Sequence, residues 1–278
     1  MSTLTSPLIH PRPFLKWAGG KAKLISQYTP YFPQQFRTYH EPFLGGGAIF
    51  FHLNQQHAVL TDINQELVNV YRCVRDQVEA VIDSLNNHQQ HHQKNQQIYY
   101  YQIRATRFQT PVERAARILY LNKTCFNGLY RENSKGGFNV PLGRYKNPKI
   151  CDPELLYAAA NALKTARIQV SSFDQVLAEA TSPEDFVYFD PPYHPISSTS
   201  SFTAYNRYSF HQADQVRLAQ VFRKLANWGV QVMLSNSDCP LIRDLYQDFL
   251  IHEIKAARTI NSNARKRGEI TELLITSY

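Results

Sequence analysis

Short apolar runs alternate with amphipathic segments at both ends of this chain, and that alternation narrows the possible folds more than anything else in the sequence. Five runs typical of buried strands lie at 38–43, 58–60, 168–171, 186–189 and 230–234. Helical patterns such as 215–228 separate them, which favours an α/β fold with a parallel sheet covered by helices. Two further runs, 251–254 and 270–277, are expected to close the sheet as a hairpin-like pair.

The middle of the chain has a different pattern. Apolar residues recur at helical spacing over 66–85, and a second helix is expected to begin at Pro111, with Glu113 in its first turn. The segment 86–97 is almost entirely Asn, Gln and His, and we expect it to be a solvated helix end or a loop. Its histidines have no carboxylate or cysteine nearby in the sequence, so we expect no metal site there.

Composition limits the class of protein. Hydrophobic residues make up 43% of the 278 and charged residues 19%, which supports a buried core. No apolar stretch approaches the roughly 20 residues of a membrane span, and the N-terminus lacks the pattern of a signal peptide. Four widely spaced cysteines disfavour a disulfide framework or a zinc knuckle. We therefore expect a soluble cytoplasmic protein, whose net charge of +8 favours nucleic acid or anionic surfaces as partners.

The motif Asp190-Pro191-Pro192-Tyr193 follows the apolar run 186–189 and carries the clearest chemistry. Its prolines remove two N–H donors and stiffen the turn, which leaves nearby carbonyls as acceptors. Asp190 and the Pro191 carbonyl can accept two hydrogen bonds from one amino group, while Tyr193 offers a face for a flat ring. Two acceptors on an NH₂ group direct its lone pair toward an electrophile. The motif therefore favours a nitrogen nucleophile over a merely structural turn.

Two glycine-rich segments suggest a nucleoside-containing cofactor. Gly45-Gly46-Gly47 follows a strand that includes Glu41, and Asp62 ends the next strand, where a carboxylate can bind ribose hydroxyls. Phe50 stands where a dinucleotide fingerprint has its third glycine, which disfavours a Rossmann dehydrogenase. A plain tight turn explains the glycine run alone about as well.

The earlier segment 14–21 ends in Gly-Gly-Lys but does not form a P-loop. Leu15 falls where the first P-loop glycine would be, and Ala22 replaces the serine or threonine that binds Mg²⁺. Trp17 and Lys21 instead suit a carboxylate beside an apolar or cationic group.

Together these motifs resemble the Dam-type DNA adenine-N6 methyltransferases, of the α class of amino-methyltransferases. The similarity runs from Phe14 to the end, in the same order: the 14–21 block, the glycine motif, a middle domain, and Asp-Pro-Pro-Tyr. It implies a Rossmann-like sheet dependent on S-adenosylmethionine (SAM), with an inserted, mostly helical DNA-recognition domain. The expected domains are 1–64 with 165–278 for catalysis and 65–164 for DNA. Leu142, where an aromatic is common, and the 86–97 segment depart from the family.

The resemblance also implies roles for individual residues. The catalytic set is Asp190, Pro191, Pro192 and Tyr193, acting on a flipped adenine without a metal. The residues expected to bind SAM are Trp17, Lys21, Glu41, Gly45, Gly47, Asp62, Phe173 and Asp190. Ser172-Phe173 falls where the family lines the cofactor's adenine pocket.

The segment 121–150 indicates DNA binding on its own, with six basic residues, one acidic residue and interleaved aromatics. The resemblance places a DNA-reading hairpin at 127–131 and 138–145. By family match Arg131 reads a guanine, Leu129 and Pro141 contact thymine or adjoining bases, and Arg144 meets phosphate. The remaining expected contacts are Phe126 and Asn127, which fill the space of the flipped base, and Lys16, which approaches a base. Arg258 and 265–267 are further candidates for backbone contacts.

The sequence thus predicts methyl transfer from SAM to adenine N6 in double-stranded DNA, at GATC, by a monomer associated with the nucleoid. Restriction-modification, repair, replication and phage defence all remain open as its role. The alternatives are another short DNA site, an RNA adenine, a non-catalytic DNA-binding module, or a glutamine methyltransferase. The basic hairpin disfavours RNA, and the intact Asp190 motif disfavours the last two.

Overall fold

The structure, a computed structural model, describes residues 9–133, 135–195, 210–257 and 269–278. Its strands are β1 (Thr38–Glu41), β2 (Ala58–Asp62), β3 (Arg167–Val170), β4 (Asp185–Phe189), β5 (Gln231–Ser237), β6 (Leu250–Ala257) and β7 (Glu269–Thr276). Its α-helices are α1 (Ile25–Tyr28), α2 (Ala48–Leu53), α3 (Gln65–Asp76), α4 (Val78–Lys94), α5 (Gln96–Ala105), α6 (Pro111–Thr124), α7 (Pro153–Leu163), α8 (Gln212–Asn227) and α9 (Pro240–Leu245).

The chain divides into two compact units. The first comprises the residues up to Gly20 together with Gly45–Gln56 and Asn64–Val170. The second comprises Lys21–Leu44, His57–Ile63 and the described residues from Ser171 onward. The domain boundaries expected from the sequence, with 65–164 inserted between 1–64 and 165–278, stay a prediction.

Six strands of the second unit lie side by side in the order β2-β1-β4-β5-β7-β6. Neighbours from β2 to β5 are parallel, with Tyr39 opposite Phe186 and Val187 opposite Val232. β7 runs antiparallel to both β5 and β6. The predicted α/β fold is confirmed as a Rossmann-like sheet, and the two last apolar runs do form its antiparallel pair.

The core of the second unit explains why β4 and β5 read as apolar runs. All five residues of β4 are buried, as expected for a strand with neighbours on both edges and both faces covered. α8 adds Leu218, Phe222 and Leu225 to the same core cluster. Each such side chain stabilises the fold by about 1.5–3 kcal/mol on burial. The carboxyl ends of β4 and β5 are therefore rigidly supported.

In the first unit, the residues 66–85 are helical as predicted, but they belong to two helices, α3 and α4. The break falls at Gln77, whose φ of −143° and ψ of 43° leave the helical region. Both helices pack one face against α6. This shared partner explains why apolar residues recur at helical spacing on both sides of the break. Asn64 caps α3 by accepting from the N–H groups of Glu66 and Leu67, and α6 begins at Pro111 as expected.

The segment 86–97 is mostly an exposed helix end, as expected, but two of its histidines are buried. α4 continues through it to Lys94, and His88 and His92 are buried at 5% and 3% exposure. Their Nδ1 atoms lie 2.7 Å from the Tyr99 hydroxyl and 2.8 Å from the Tyr120 hydroxyl. Burial lowers the pKa of His88 to about 4, with His91 adding to the effect. The two histidines recur on one face of the helix, where tyrosines of α5 and α6 give them neutral partners.

Three further features concern metal ligands, membrane spans and cysteines. In the described ranges, no group of three or more His, Cys, Asp or Glu side chains is arranged to hold a metal ion. No helix among those residues is long and apolar enough to cross a membrane. The cysteines, which are Cys73, Cys125, Cys151 and Cys239, are free and buried.

Candidate active site and nucleic-acid interface

Asp190 stands at the carboxyl end of β4 and is held by two donors in the second unit. The Nζ atom of Lys21 lies 2.6 Å from its Oδ1, and the Ser235 hydroxyl donates to the same oxygen at 3.0 Å. The Lys21 side chain is 4% exposed and that of Asp190 is 21% exposed. A buried ammonium at this distance compensates the carboxylate charge and fixes its orientation. Both contacts are to Oδ1.

The hydroxyl of Ser235 belongs to a chain of donors beneath Asp190. Ser235 has one hydroxyl proton, which it gives to Asp190, so the Tyr188 hydroxyl at 2.9 Å must donate to Ser235. Burial raises the pKa of Tyr188 well above its usual value, which keeps that hydroxyl protonated. The sequence analysis missed Ser235, although a polar Ser-Asn-Ser run at the end of an apolar strand was a signal for it.

Tyr193 is fixed at both its hydroxyl and its ring. Its hydroxyl donates to Glu272 Oε2 on β7 at 2.8 Å, and Lys21 Nζ lies 4.8 Å from its ring centroid. Burial and nearby charge raise the pKa of Tyr193, and burial also raises that of Glu272. Glu272, likewise missed from the sequence, thus orients the aromatic ring of the proline motif.

Three more expected SAM ligands lie in the second unit. Glu41 is buried at the end of β1 and accepts from the Tyr39 hydroxyl at 2.9 Å. Asp62 ends β2. Phe173 is buried and stacks on Phe43 with ring centroids 5.5 Å apart. Because parallel strands end at the same edge of a sheet, Glu41, Asp62 and Asp190 share the edge where α/β proteins bind ligands.

Trp17 and the glycine motif meet in the first unit. The Trp17 ring stacks on Tyr130 at 5.1 Å. Gly45 has a φ of +48°, and a Cβ there would lie 2.9 Å from Trp17 Cδ1. Its carbonyl accepts from the Tyr71 hydroxyl, and Gly47, with a φ of 65°, caps α2. Position 45 therefore needs glycine both for its backbone and for the approach of the indole.

The expected hairpin is present in the first unit. Its arms pair through the antiparallel bridges Cys125–Leu142 and Glu132–Phe138. Of the residues expected to contact DNA, the exposed ones are Lys16, Phe126, Asn127, Arg131, Pro141 and Arg144, and Leu129 is partly exposed. Phe126 exposes 49% of its surface.

Lys16 is brought to this hairpin by a residue that the sequence analysis did not select. Asn122 accepts from the Lys16 N–H at 2.8 Å and donates to the Lys16 and Gly128 carbonyls at 2.7 and 3.0 Å. The Lys16 ammonium lies 4.8 Å from the Tyr145 ring centroid. Arg131 is oriented by Asn139, whose Oδ1 accepts from its Nε at 2.7 Å. Arg258 and 265–267 lie outside the described residues.

The second unit is thus a Rossmann-like sheet with a carboxylate, Asp190, fixed at the carboxyl end of β4, where enzymes of the α/β class bind their ligands. Comparison with known families identifies which class of enzyme this is. Residues 17–260 match the family of D12 class N6 adenine-specific DNA methyltransferases. The chain belongs to this family and is an adenine-specific DNA methyltransferase. The alternatives of RNA, a non-catalytic module and glutamine methylation are therefore not supported.

Individual relatives agree with the family assignment over the whole chain. Type II methyltransferase M1.LlaDCHI of Lactococcus lactis subsp. cremoris is 46% identical over 100% of this chain and 99% of its own. Type II methyltransferase M.MjaIII of Methanocaldococcus jannaschii is 41% identical over 96% and 99%. The DNA adenine methylase of Escherichia coli K12 is 36% identical over 95% and 94%. The resemblance inferred from the motifs is thereby confirmed.

Proposed function

We propose that this enzyme transfers a methyl group from SAM to adenine N6 within GATC in double-stranded DNA, acting as a monomer on a flipped base. The observation that carries the proposal is the fixed carboxylate of Asp190, which Lys21 and Ser235 both hold through Oδ1. A target adenine must leave the stack to reach such a site, at a cost of a few kcal/mol.

The second unit supplies the groups that prepare the amine. Asp190 and the Pro191 carbonyl would accept hydrogen bonds from the two N6–H groups, which would turn the nitrogen lone pair toward the methyl group that SAM supplies. Transfer would leave the sulfonium as a neutral thioether, and N6 would release one proton. Tyr193 stacks on the adenine, with its ring held by the hydrogen bond to Glu272. Positioning of the two reactants then supplies much of the rate.

The residues expected to bind the cofactor fit SAM, whose sulfonium would supply the methyl group. Asp62 suits the ribose hydroxyls, and Glu41 and Lys21 add polar groups of both charges. The close approach of Gly45 to Trp17 leaves no room for a side chain at 45. The residues that we propose bind SAM are Trp17, Gly45 and Gly47 in the first unit, and Lys21, Glu41, Asp62, Phe173 and Asp190 in the second.

The hairpin suits a short site with guanine at its edge. The Arg131 guanidinium, oriented by Asn139, can make the bidentate contact that guanine favours. Leu129 and Pro141 would contact thymine or adjoining bases, and Arg144 a phosphate. We further propose that Phe126 and Asn127 fill the space of the flipped adenine, and that Lys16 approaches a base. An enzyme with this substrate is expected in the cytoplasm, at the nucleoid.

The test is expression in a host that lacks adenine methylation, followed by single-molecule sequencing of its DNA with detection of N6-methyladenine. Methylation at GATC, absent from a matched Asp190→Ala strain, would support the site and the motif together. Methylation at another short motif would overturn GATC and the assigned base contacts of the hairpin, while keeping the enzyme class.

A further inference from the structure

Two buried amide side chains close a ring of hydrogen bonds around Tyr193. Gln215 Nε2 on α8 donates to the Pro192 carbonyl at 2.9 Å, and its Oε1 accepts from Asn236 Nδ2 at 2.9 Å. Asn236 Oδ1, at the end of β5, accepts from the His194 N–H at 3.2 Å. The carbonyl before Tyr193 and the N–H after it are thus tied to the same amide pair.

The proline motif needs such external anchors. Pro191 and Pro192 have no N–H groups, so this stretch cannot be held by donating to a neighbouring strand. Its position depends on its carbonyls and on the first N–H groups beyond it. Ser237 adds one more tie by donating to the His194 carbonyl at 2.7 Å.

The amide pair can hold the loop in only one arrangement. Gln215 and Asn236 are 1% and 0% exposed, and water cannot replace a bond that either of them loses. A buried amide left without a partner is costly, so the ring of hydrogen bonds forms completely or not at all. Rotation of either amide would place like groups against each other and disrupt two of the three contacts.

We propose that Gln215 and Asn236 are positioning residues for methyl transfer, which fix the backbone on both sides of Tyr193 and thereby aim its ring and the Pro191 carbonyl at the target adenine. This inference rests on the proposed roles of Tyr193 and Pro191. Neither amide touches the substrate. Their effect is therefore expected on the chemical step and not on SAM affinity.

Gln215→Met tests the proposal, because methionine keeps the length and volume of the side chain and removes both hydrogen bonds. The matched control is Gln231→Met, at the opposite end of β5, where the glutamine also donates to backbone carbonyls, of Gln35 and Pro183. We expect the single-turnover methylation rate at saturating SAM and DNA to fall at least about tenfold in Gln215→Met and less than about twofold in the control. The dissociation constant for SAM, measured by calorimetry, should stay within about twofold in both.

Gln215→Glu adds a readout that a purely structural role would not give. A protonated carboxyl group can donate to the Pro192 carbonyl and accept from Asn236, whereas a carboxylate can only accept. Burial raises the pKa of such a carboxyl group. The ratio of the variant's rate to the wild-type rate should therefore rise as pH falls from about 8 to about 6.

The outcomes separate this inference from the proposed function. An unchanged rate in Gln215→Met would overturn the positioning role. So would a Gln215→Glu variant whose rate ratio does not change with pH while its SAM affinity and its Tm both decrease. Tyr193→Ala serves as the reference for the function itself. If its rate were unchanged, the assigned role of Tyr193 would fail regardless of the amide variants.

Discussion

Lys21 Nζ lies 2.6 Å from Asp190 Oδ1, so a lysine near the start of the chain compensates the charge of the carboxylate that the proline motif presents. The sequence analysis placed both residues at SAM but did not pair them. The pairing shows that the orientation of Asp190 depends on Lys21.

Replacing Lys21 by methionine should damage both activity and stability. Loss of one partner of a buried ion pair costs about 3–5 kcal/mol, and the partial exposure of Asp190 should bring the effect toward the lower value. We expect methylation to fall more than about a hundredfold and Tm to decrease, measured by turnover assays and calorimetry. In the double variant Lys21→Met/Asp190→Asn, Tm should recover while activity stays absent. A double variant as unstable as the single one would show that the pair does not act as a unit.

Gly45→Ala should weaken SAM binding through Trp17. The left-handed backbone costs an alanine about 1–2 kcal/mol. Its Cβ would also lie only 2.9 Å from Trp17 Cδ1, so the indole would have to move. Gly46→Ala is the matched control, because its Cβ would meet Trp17 at an ordinary 3.5 Å. Calorimetric titration with SAM should show a lower affinity for Gly45→Ala alone. Equal losses in both variants would mean that the glycine run matters only as a turn.

His88 should make the protein sensitive to acid. Its pKa is about 4 in the folded protein against an ordinary 6.5, so below pH 6.5 the unfolded state binds the extra proton. The stability that neutral His88 confers is complete above pH 6.5 and is lost as pH falls toward 4, by up to about 3 kcal/mol. Urea unfolding across this range should show a smaller pH dependence in His88→Phe. His57→Phe, at an exposed histidine, should retain the wild-type slope.

The sequence predicts those parts of the fold that neighbouring residues determine, and it misses those that depend on contacts between distant residues. The strands and the terminal pair followed from apolar runs, and Asp190-Pro191-Pro192-Tyr193 from its own chemistry. Gln77 was not foreseen as a helix break, because no proline or glycine marks it and the apolar spacing continues. His88 and His92 were misjudged because their tyrosine partners lie in later helices.

The supporting residues of the site were harder to predict for the same reason. Ser235, Asn236 and Glu272 act on a loop that is distant in sequence. The polar Ser-Asn-Ser run marks the end of β5 as a candidate, but no local pattern shows which loop it contacts. Only the strand order, which places β5 beside β4 and β7 beside β5, brings them to the proline motif. Long-range pairing of this kind has no local signature.

Arg131→Ala should relax recognition at one base pair. Asn139 orients the guanidinium by accepting from Nε and Nη2. Loss of the bidentate guanine contact that we propose for Arg131 would cost about 1–3 kcal/mol of discrimination. Competitive methylation of oligonucleotides with single substitutions in GATC would measure this. Arg144 is also exposed on this segment. Arg144→Ala should instead weaken binding to all DNA sequences alike, and the slope of the logarithm of the binding constant against the logarithm of the salt concentration should become shallower by about one. If Arg131→Ala also weakened every sequence equally, Arg131 would be a phosphate contact and the base contact would have to come from another residue of the hairpin.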